Sequence, residues 1–442
     1  MIQRILQRIF LVAVAALLAA PVSLRGAEVT VGKVVYKLNS TAMTARASRV
    51  TGEKKDLKSV TIPSTVKYKD KEYSVIAIGS SCFSFTSLTS VTVPEGVETI
   101  ADGAFSSIET LKSVKLPSSL RTIGSTAFAW SSLEKITIPE AVTSIGEMAF
   151  YNCTSLTKVV FKKSDVKSIG KEAFCNCHVL SYIEMPSTLG SIGENAFSNC
   201  HALTSITFPD GLRTIPFACC WNCGNLQSVR LPDTVEFVDE LAFPCPKLTQ
   251  VNIPTSLKTT GKDAFIGVPF KKLEFPWGMQ TIGEGSFANN AMLEEVTIPY
   301  TVTSIGKYAF NICPNIKAVN VSRETPPTLG TDGFGDSYDT AYLFTGYFNL
   351  DPYRNAPEWK RFRNIYETSS VAMADADRGL VLTAHPGTLS VSAPENTAVE
   401  VYSISGSRVA SFVCGGVTTE VTLPAGIYIV RSAEKAIKVT LP

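Results

Sequence analysis

The segment Leu88-Thr89-Ser90-Val91-Thr92-Val93-Pro94 returns along the chain as Leu111 to Pro117, Leu133 to Pro139, Leu180 to Pro186, Leu203 to Pro209, Leu226 to Pro232, Leu248 to Pro254 and Leu293 to Pro299. The copies run on through Val-x-x-Ile-Gly to an Ala-Phe pair, most fully in Val142, Ile145, Gly146, Ala149 and Phe150. A period of 22 to 24 residues, sustained from Leu88 to Phe334, leaves one architecture. Units too small to bury their own apolar face must stack and share one elongated core. Such a rod presents long open faces more readily than a closed reaction pocket, which turns the functional expectation toward binding.

Within a repeat, Leu-x-x-Val-x-Val alternates in strand fashion and ends at a proline that cannot donate to a ladder. Val-x-x-Ile-Gly then predicts a second extended pass with the glycine as a permissive bend. The following x-x-Ala-Phe-x-x-Cys leaves room for one tight helical or 3₁₀ turn, with Phe as the large filler. At about 4.8 Å per coil, eleven to twelve coils make a rod roughly 50 Å long. The spacing from Leu57 to Leu88 is longer, and the extra residues, Lys67 to Tyr73, read as a hairpin tip. Before it, Val34 to Leu38 and Met43 to Val50 flank an Asn39-Ser40-Thr41 turn and predict a strand-rich cap.

Other stretches break the period. Residues 1–27, with Arg4 and Arg8 ahead of the apolar run Ile9 to Ala20, read as an export signal, too short to span a bilayer. The cap takes 28–56, the solenoid 57–335, and a closing segment 336–368 brings Trp359, Phe362 and Ile365 against the last coil. Beyond Ser369, Leu389 to Val391, Val399 to Ile404, Arg408 to Val413, Thr418 to Leu423, Ile427 to Arg431 and Ala436 to Leu441 predict a small all-β sandwich over 369–442.

The pattern Leu-x-x-Val-x-Ile-Pro-x-x-Val-x-x-Ile-Gly-x-x-Ala-Phe-x-x-Cys, seen from Leu133 to Cys153 with Ile136 in the first Val slot, resembles the BspA-like, Treponema-type leucine-rich repeat. The resemblance implies a right-handed solenoid on bacterial surface proteins, several of which are adhesins, and the cap residues Tyr353, Trp359, Phe362 and Ile365 look like the closing segment common among them. The C-terminal stretch Val399 to Gly406, Leu423 to Val430 and Lys435 to Val439 is similar to the sorting domain of the bacterial type IX secretion route. Ala384-His385-Pro386-Gly387 stands where that domain usually opens with Pro-Asn-Pro. This second likeness implies a Bacteroidetes-like envelope protein.

Forty-one Lys plus Arg against 39 Asp plus Glu give a charge of +2, so the overall field argues for neither nucleic acid nor acidic membrane as partner. Of the eleven cysteines, Cys153, Cys177, Cys200, Cys223 and Cys313 fall three residues after the Phe slot, while Cys219 and Cys220 occupy the Ala and Phe slots. Their phase predicts buried structural thiols rather than disulfides or a metal site. His178 and His201 stack on neighbouring coils, His385 stands apart, and no nucleophile, metalloprotease or phosphate-loop motif occurs. Asp332, Asp336 and Asp339 lack EF-hand spacing and read as a solvated loop. Neither an enzyme nor a cofactor is expected.

Surface chemistry supplies the candidates. Lys112, Lys115, Lys135 and Lys158, with Lys162 and Lys163, give the early coils a basic bias, and Glu274, Glu294 and Glu295 an acidic one to the late coils. The turn position after the strand proline is polar in seven coils, from Glu95 to Thr255, and then becomes Trp277 and Tyr300 in two successive ones. Two large aromatics side by side fit a sugar-stacking platform or a protein hot spot, or a cover beside Phe270 and Phe275. The expectation is an exported surface protein that binds a macromolecular partner by protein adhesion, with glycan capture at the aromatic pair or an envelope spacer as alternatives.

Overall fold

A computed structural model describes residues 26–163, 165–345, 350–367, 373–375, 380–385, 388–393, 396–414, 419–424, 426–432 and 435–441. The expected signal segment therefore lies outside the described residues apart from Gly26 and Ala27, as do Ser369 and Pro386-Gly387. The repeat forms a β-solenoid in which every coil contributes two short parallel strands. Lys135–Ile138 lies on Lys158–Phe161 with Lys135 opposite Lys158, and Ser144–Ile145 lies on Ser168–Ile169. Valine and isoleucine at alternate positions of the first strand point inward, so Ile136 and Ile138 are buried while Lys135 and Thr137 face solvent.

The second strands fall in two sheets, one of ten strands that also holds the N-terminal cap strands and ends at Ser191–Ile192, and one of six starting at Thr214–Ile215. The N-terminal cap is continuous with the first of these. Glu28–Val31, Val34–Asn39 and Thr44–Val50 pair antiparallel, Thr44–Val50 then pairs parallel with Lys71–Ile78, and Thr65–Tyr68 forms a hairpin with that strand.

The tight turn departs from the 3₁₀ expectation. Most such turns hold two residues in the left-handed region, for example Met148 at φ 54° and Asn152 at φ 55°. The amides between them point along the solenoid axis, so Phe128 N donates to Ala149 O at 2.8 Å and Phe150 N to Ala173 O at 2.9 Å. Asparagine tolerates this conformation best after glycine, and Asn176, Asn199 and Asn222 use it to form a side-chain ladder. Asn199 Nδ2 donates to Asn176 Oδ1 and Asn222 Nδ2 to Asn199 Oδ1, both at 2.8 Å.

Glycine at the end of the second strand has a different purpose from the bend expected of it. A Cβ on Gly146 would meet Gly124 C at 2.5 Å, and one on Gly170 would meet Glu147 N at 2.5 Å. Neighbouring coils touch there through backbone alone, and no side chain fits.

The core is a column of rings. Phe83, Phe105, Phe128, Phe150, Phe174 and Phe197 stack with centroids 5.2 to 5.7 Å apart, and Phe265, Phe287, Phe310 and Phe334 resume the pattern at 4.9 to 5.8 Å. Burial of each ring contributes about 1.5–3 kcal/mol before entropy, and stacking adds roughly 0.5–1.5 kcal/mol. The column is interrupted at Cys220; Phe208, in the slot that Ile138 fills elsewhere, reaches Phe243 edge-on at 6.3 Å.

All eleven thiols are free and buried. They also have a bonding role that the sequence does not announce. Cys153, Cys177, Cys200 and Cys223 donate to the carbonyls of Phe128, Phe150, Phe174 and Phe197 at 3.1 to 3.3 Å, each satisfying a backbone oxygen of the coil before.

At the far end the first-strand ladder runs past residue 335 to Tyr342–Thr345 and Asn364–Glu367, with Leu343 opposite Ile365. Tyr353, Trp359 and Phe362 are buried against Phe334 and close the core. Asp332 is paired with Arg361 and Asp339 with Arg363, at 2.6 and 2.8 Å, so the acidic loop carries its own cations.

The C-terminal module is two four-stranded antiparallel sheets, Met373–Asp375, Leu380–His385, Thr388–Ser392 and Thr419–Thr422 in one and Arg408–Cys414, Thr397–Ser403, Gly426–Ser432 and Lys435–Leu441 in the other. Leu389, Val391, Val399, Val401, Tyr428 and Val430 fill the space between them. The strands Met373–Asp375 and Leu380–His385 were not among those read from the sequence.

Candidate functional site

The outward face of the first strands is the candidate site, because it carries variable side chains on a regular backbone. Lys112, Lys115, Lys135 and Lys158 all project from it and are exposed. Lys112 has Glu134 at 3.9 Å, an exposed pair worth at most about 1 kcal/mol. Among the described residues Lys115, Lys135 and Lys158 have no ion-pair partner. Lys158 sits in register between Lys135 and Tyr182 and holds its ammonium 5.0 Å from the centroid of the tyrosine ring. Tyr182 in turn donates to Glu184 at 3.1 Å. Nearby, Glu95 is held below the usual carboxylate range chiefly by hydrogen bonds from Ser118, with Lys115 adding a smaller contribution.

The acidic half of the expected charge gradient is largely neutralised in place. Glu274 lies 2.6 Å from Lys272, Glu294 lies 3.3 Å from Lys317, and Glu295 is buried with Lys272 3.6 Å away and Asn320 donating to it at 2.6 Å. Among the described residues, Lys115, Lys135 and Lys158 at the basic end have no such close partner to cancel their field within a Debye length.

Trp277 and Tyr300 are 73 % and 54 % exposed. Phe275 is itself buried, and Phe270 packs edge-on against Phe265 and Phe287. Arg323 of the next coil lays its guanidinium over one face of the Tyr300 ring at 5.4 Å. The two anchors stand on adjacent turns, on a different part of the coil from the lysine stripe.

Sequence reasoning missed what covers the strand face at its far end. Ala318 and Phe344 are fully buried there beneath Ile429 of the C-terminal module, with Tyr342, Tyr366, Tyr402, Ile404 and Ala436 around them. Lys438 donates to Asn320 and lies 4.9 Å from the Phe344 ring centroid. Burial pushes its ammonium down to about 8. The signal was present in Phe344 and Tyr366 at the outward strand position, where earlier coils are mostly polar, but nothing local distinguishes a covered aromatic from an exposed one.

The His178 and His201 rings lie 5.0 Å apart with no third ligand, and no group of three metal-ligating side chains occurs among the described residues. No helix among them is long and apolar enough to cross a membrane.

With this geometry in hand, comparison with known proteins is decisive for the fold. The model of the BspA type leucine-rich repeat region matches in six copies across residues 76–181, 167–292 and 219–339, more than half of the chain. The chain belongs to the BspA-type leucine-rich repeat family. Among solved structures, the pneumococcal vaccine antigen PcpA is 21 % identical, with a TM-score of 0.50 over 78 % of this chain and 94 % of that one. A leucine-rich cell surface protein from Faecalibacterium prausnitzii is 26 % identical over 67 % and 95 % of the two chains, TM-score 0.37. A leucine-rich repeat protein from Bacteroides ovatus is 24 % identical over 66 % and 94 %, TM-score 0.36. The search of curated proteins finds no match. Membership in the BspA-type family agrees with a surface protein that has a binding role.

Proposed function

We propose that the protein is exported and binds a macromolecular partner, in the first instance a protein, on the open strand face of its solenoid. One observation carries the reading. The same face, at Ala318 and Phe344, already accommodates a folded β module, so its regular surface is suited to packing against another protein. In the early coils it is uncovered and presents Lys115, Lys135, Lys158 and Tyr182. Unpaired lysines there would steer an acidic partner and speed its encounter. The C-terminal module, on its likeness to a sorting domain, would serve secretion or attachment to the envelope.

A second reading, sugar stacking on the turn aromatics, is favoured by the exposure of Trp277 and Tyr300, and competition by free sugars separates it from protein adhesion. The test is binding of the chain from Glu28 to Pro442 to an extracellular-matrix protein array, alongside a Lys115→Glu/Lys135→Glu/Lys158→Glu variant. The expected result is saturable capture that the triple variant weakens at least about tenfold, about 1.4 kcal/mol. Capture unchanged by the triple variant removes the strand face from the reading; absence of any saturable ligand leaves only a spacer.

A further inference from the structure

The first-strand sheet also breaks after Lys115 and after Val251, but both strand ladders of the solenoid break together at one place. The first-strand sheet stops at Tyr182–Ile183 and restarts at Ser205–Thr207, and the second-strand ladder stops at Ser191–Ile192 and restarts at Thr214–Ile215. On the outer face the break opens into a shallow groove of about 700 Å³. Its rim is Tyr182, Glu184, Ser187, Thr207, Asp210 and Arg230, and its floor includes Ile183 and Phe208.

The rim has a definite chemistry. Tyr182, 47 % exposed, is fixed by its hydrogen bond to Glu184 and by Lys158 over one face, and because Lys158 belongs to the preceding coil the other face lies toward the groove. Two carboxylates, Glu184 and Asp210, are balanced by two cations, Lys158 and Arg230. The local field therefore selects neither an anion nor a cation, and recognition falls to hydrogen bonds and ring contact. We propose that this groove binds a neutral glycan, with one sugar ring against Tyr182 and its hydroxyls shared among Glu184, Asp210 and Arg230. Carboxylates accept from sugar hydroxyls, the guanidinium donates to them, and the aromatic face takes the C–H side of the ring. The inference rests on the surface-binding reading above and names what the partner displays.

The test titrates the chain from Glu28 to Pro442 by calorimetry with maltohexaose, mannohexaose and the N-acetylglucosamine hexamer, and with heparin and oligogalacturonate as acidic probes. Saturable binding of at least one neutral hexamer is expected, weakened at least about tenfold by Tyr182→Ala and by Arg230→Ala. Thermal melting of each variant checks that the exposed substitutions leave the fold intact. No neutral binding, binding of the acidic probes alone, or binding insensitive to Tyr182→Ala overturns the proposal. A protein array probed before and after enzymatic deglycosylation separates the two readings. Capture that persists on deglycosylated proteins while the hexamers are silent keeps adhesion and removes the glycan groove, and silence in every arm removes both.

Discussion

Pro216 occupies the position from which Gly193, one coil earlier, donates to Ile169 O at 2.8 Å, and with no N–H it makes no equivalent bond to Ile192. The next coil restores the contact, Asp239 N to Ile215 O at 2.9 Å. The missing donor stands where the second-strand ladder is interrupted beside the groove. Pro216→Gly supplies a donor worth about 0.5–1.5 kcal/mol and loosens the unfolded chain by a comparable amount, so the melting temperature should change little. The discriminating readout is hydrogen exchange: the new amide at 216 should exchange slowly, like that of Gly193, and fast exchange would show that the ladder is broken for another reason.

The stacked phenylalanines should dominate stability. Phe150→Ala removes a fully buried ring between Phe128 and Phe174 and is expected to cost about 3–5 kcal/mol by denaturant unfolding.

Cys220 and Phe208 should be coupled, because Phe208 helps fill the column where Cys220 is too small. Cys220→Phe alone overpacks the coil by about 1–3 kcal/mol, and adding Phe208→Ile should recover part of that loss. Additive effects in the double-mutant cycle would show that the two sites do not share the space.

The thiols should be inert in the folded protein. Burial pushes Cys153, Cys175 and Cys313 up to about 11, so almost no thiolate exists at pH 8. Iodoacetamide labelling followed by mass spectrometry should leave them unmodified until denaturant is added; labelling in native buffer at a rate typical of exposed cysteine would contradict the packing.

Lys438 makes module docking depend on pH. Its ammonium is lowered by burial from 10.5 to about 8 in the docked state, so the detached state binds more protons between those values. Docking therefore strengthens as pH rises from about 8 to about 10.5, by about 3 kcal/mol at most, and is independent of this group below 8. Lys438→Met should abolish that slope in the unfolding of the module, and an unchanged slope would place the titration elsewhere.

The repeat was legible in the sequence because each coil obeys the same local rules. Alternating Val and Ile mark the inward side of the strand, proline ends it, and the Phe and Cys phases lie in the core, where both are found. Trp359 and Phe362 were legible as a closing cap for the same reason, as bulky apolar residues where the period ends. The purpose of the glycines was not legible: a residue in that slot could bend the chain or permit contact, and only the approach of Gly146 to Gly124 decides for contact. The positive φ of residues as unlike as Met148 and Asn152 was hidden too, since their shared conformation comes from the ladder between coils rather than from side-chain preference.

For the candidate site, the sequence by itself determined the residue types on the outer face, including the lysine stripe and the Trp277 and Tyr300 pair. Tertiary structure alone decided which of them remain available. Lys272 and Lys317 neutralise the late acids, Arg323 takes one face of Tyr300, and the C-terminal module buries Ala318 and Phe344. The groove at Tyr182 and Arg230 arises in the same way, since its walls lie on three successive coils around a break in the ladders. The physical reason is that inward burial follows from local alternation, repeated coil by coil, whereas the fate of an outward residue depends on partners tens to more than a hundred positions away, such as Lys438 for Asn320.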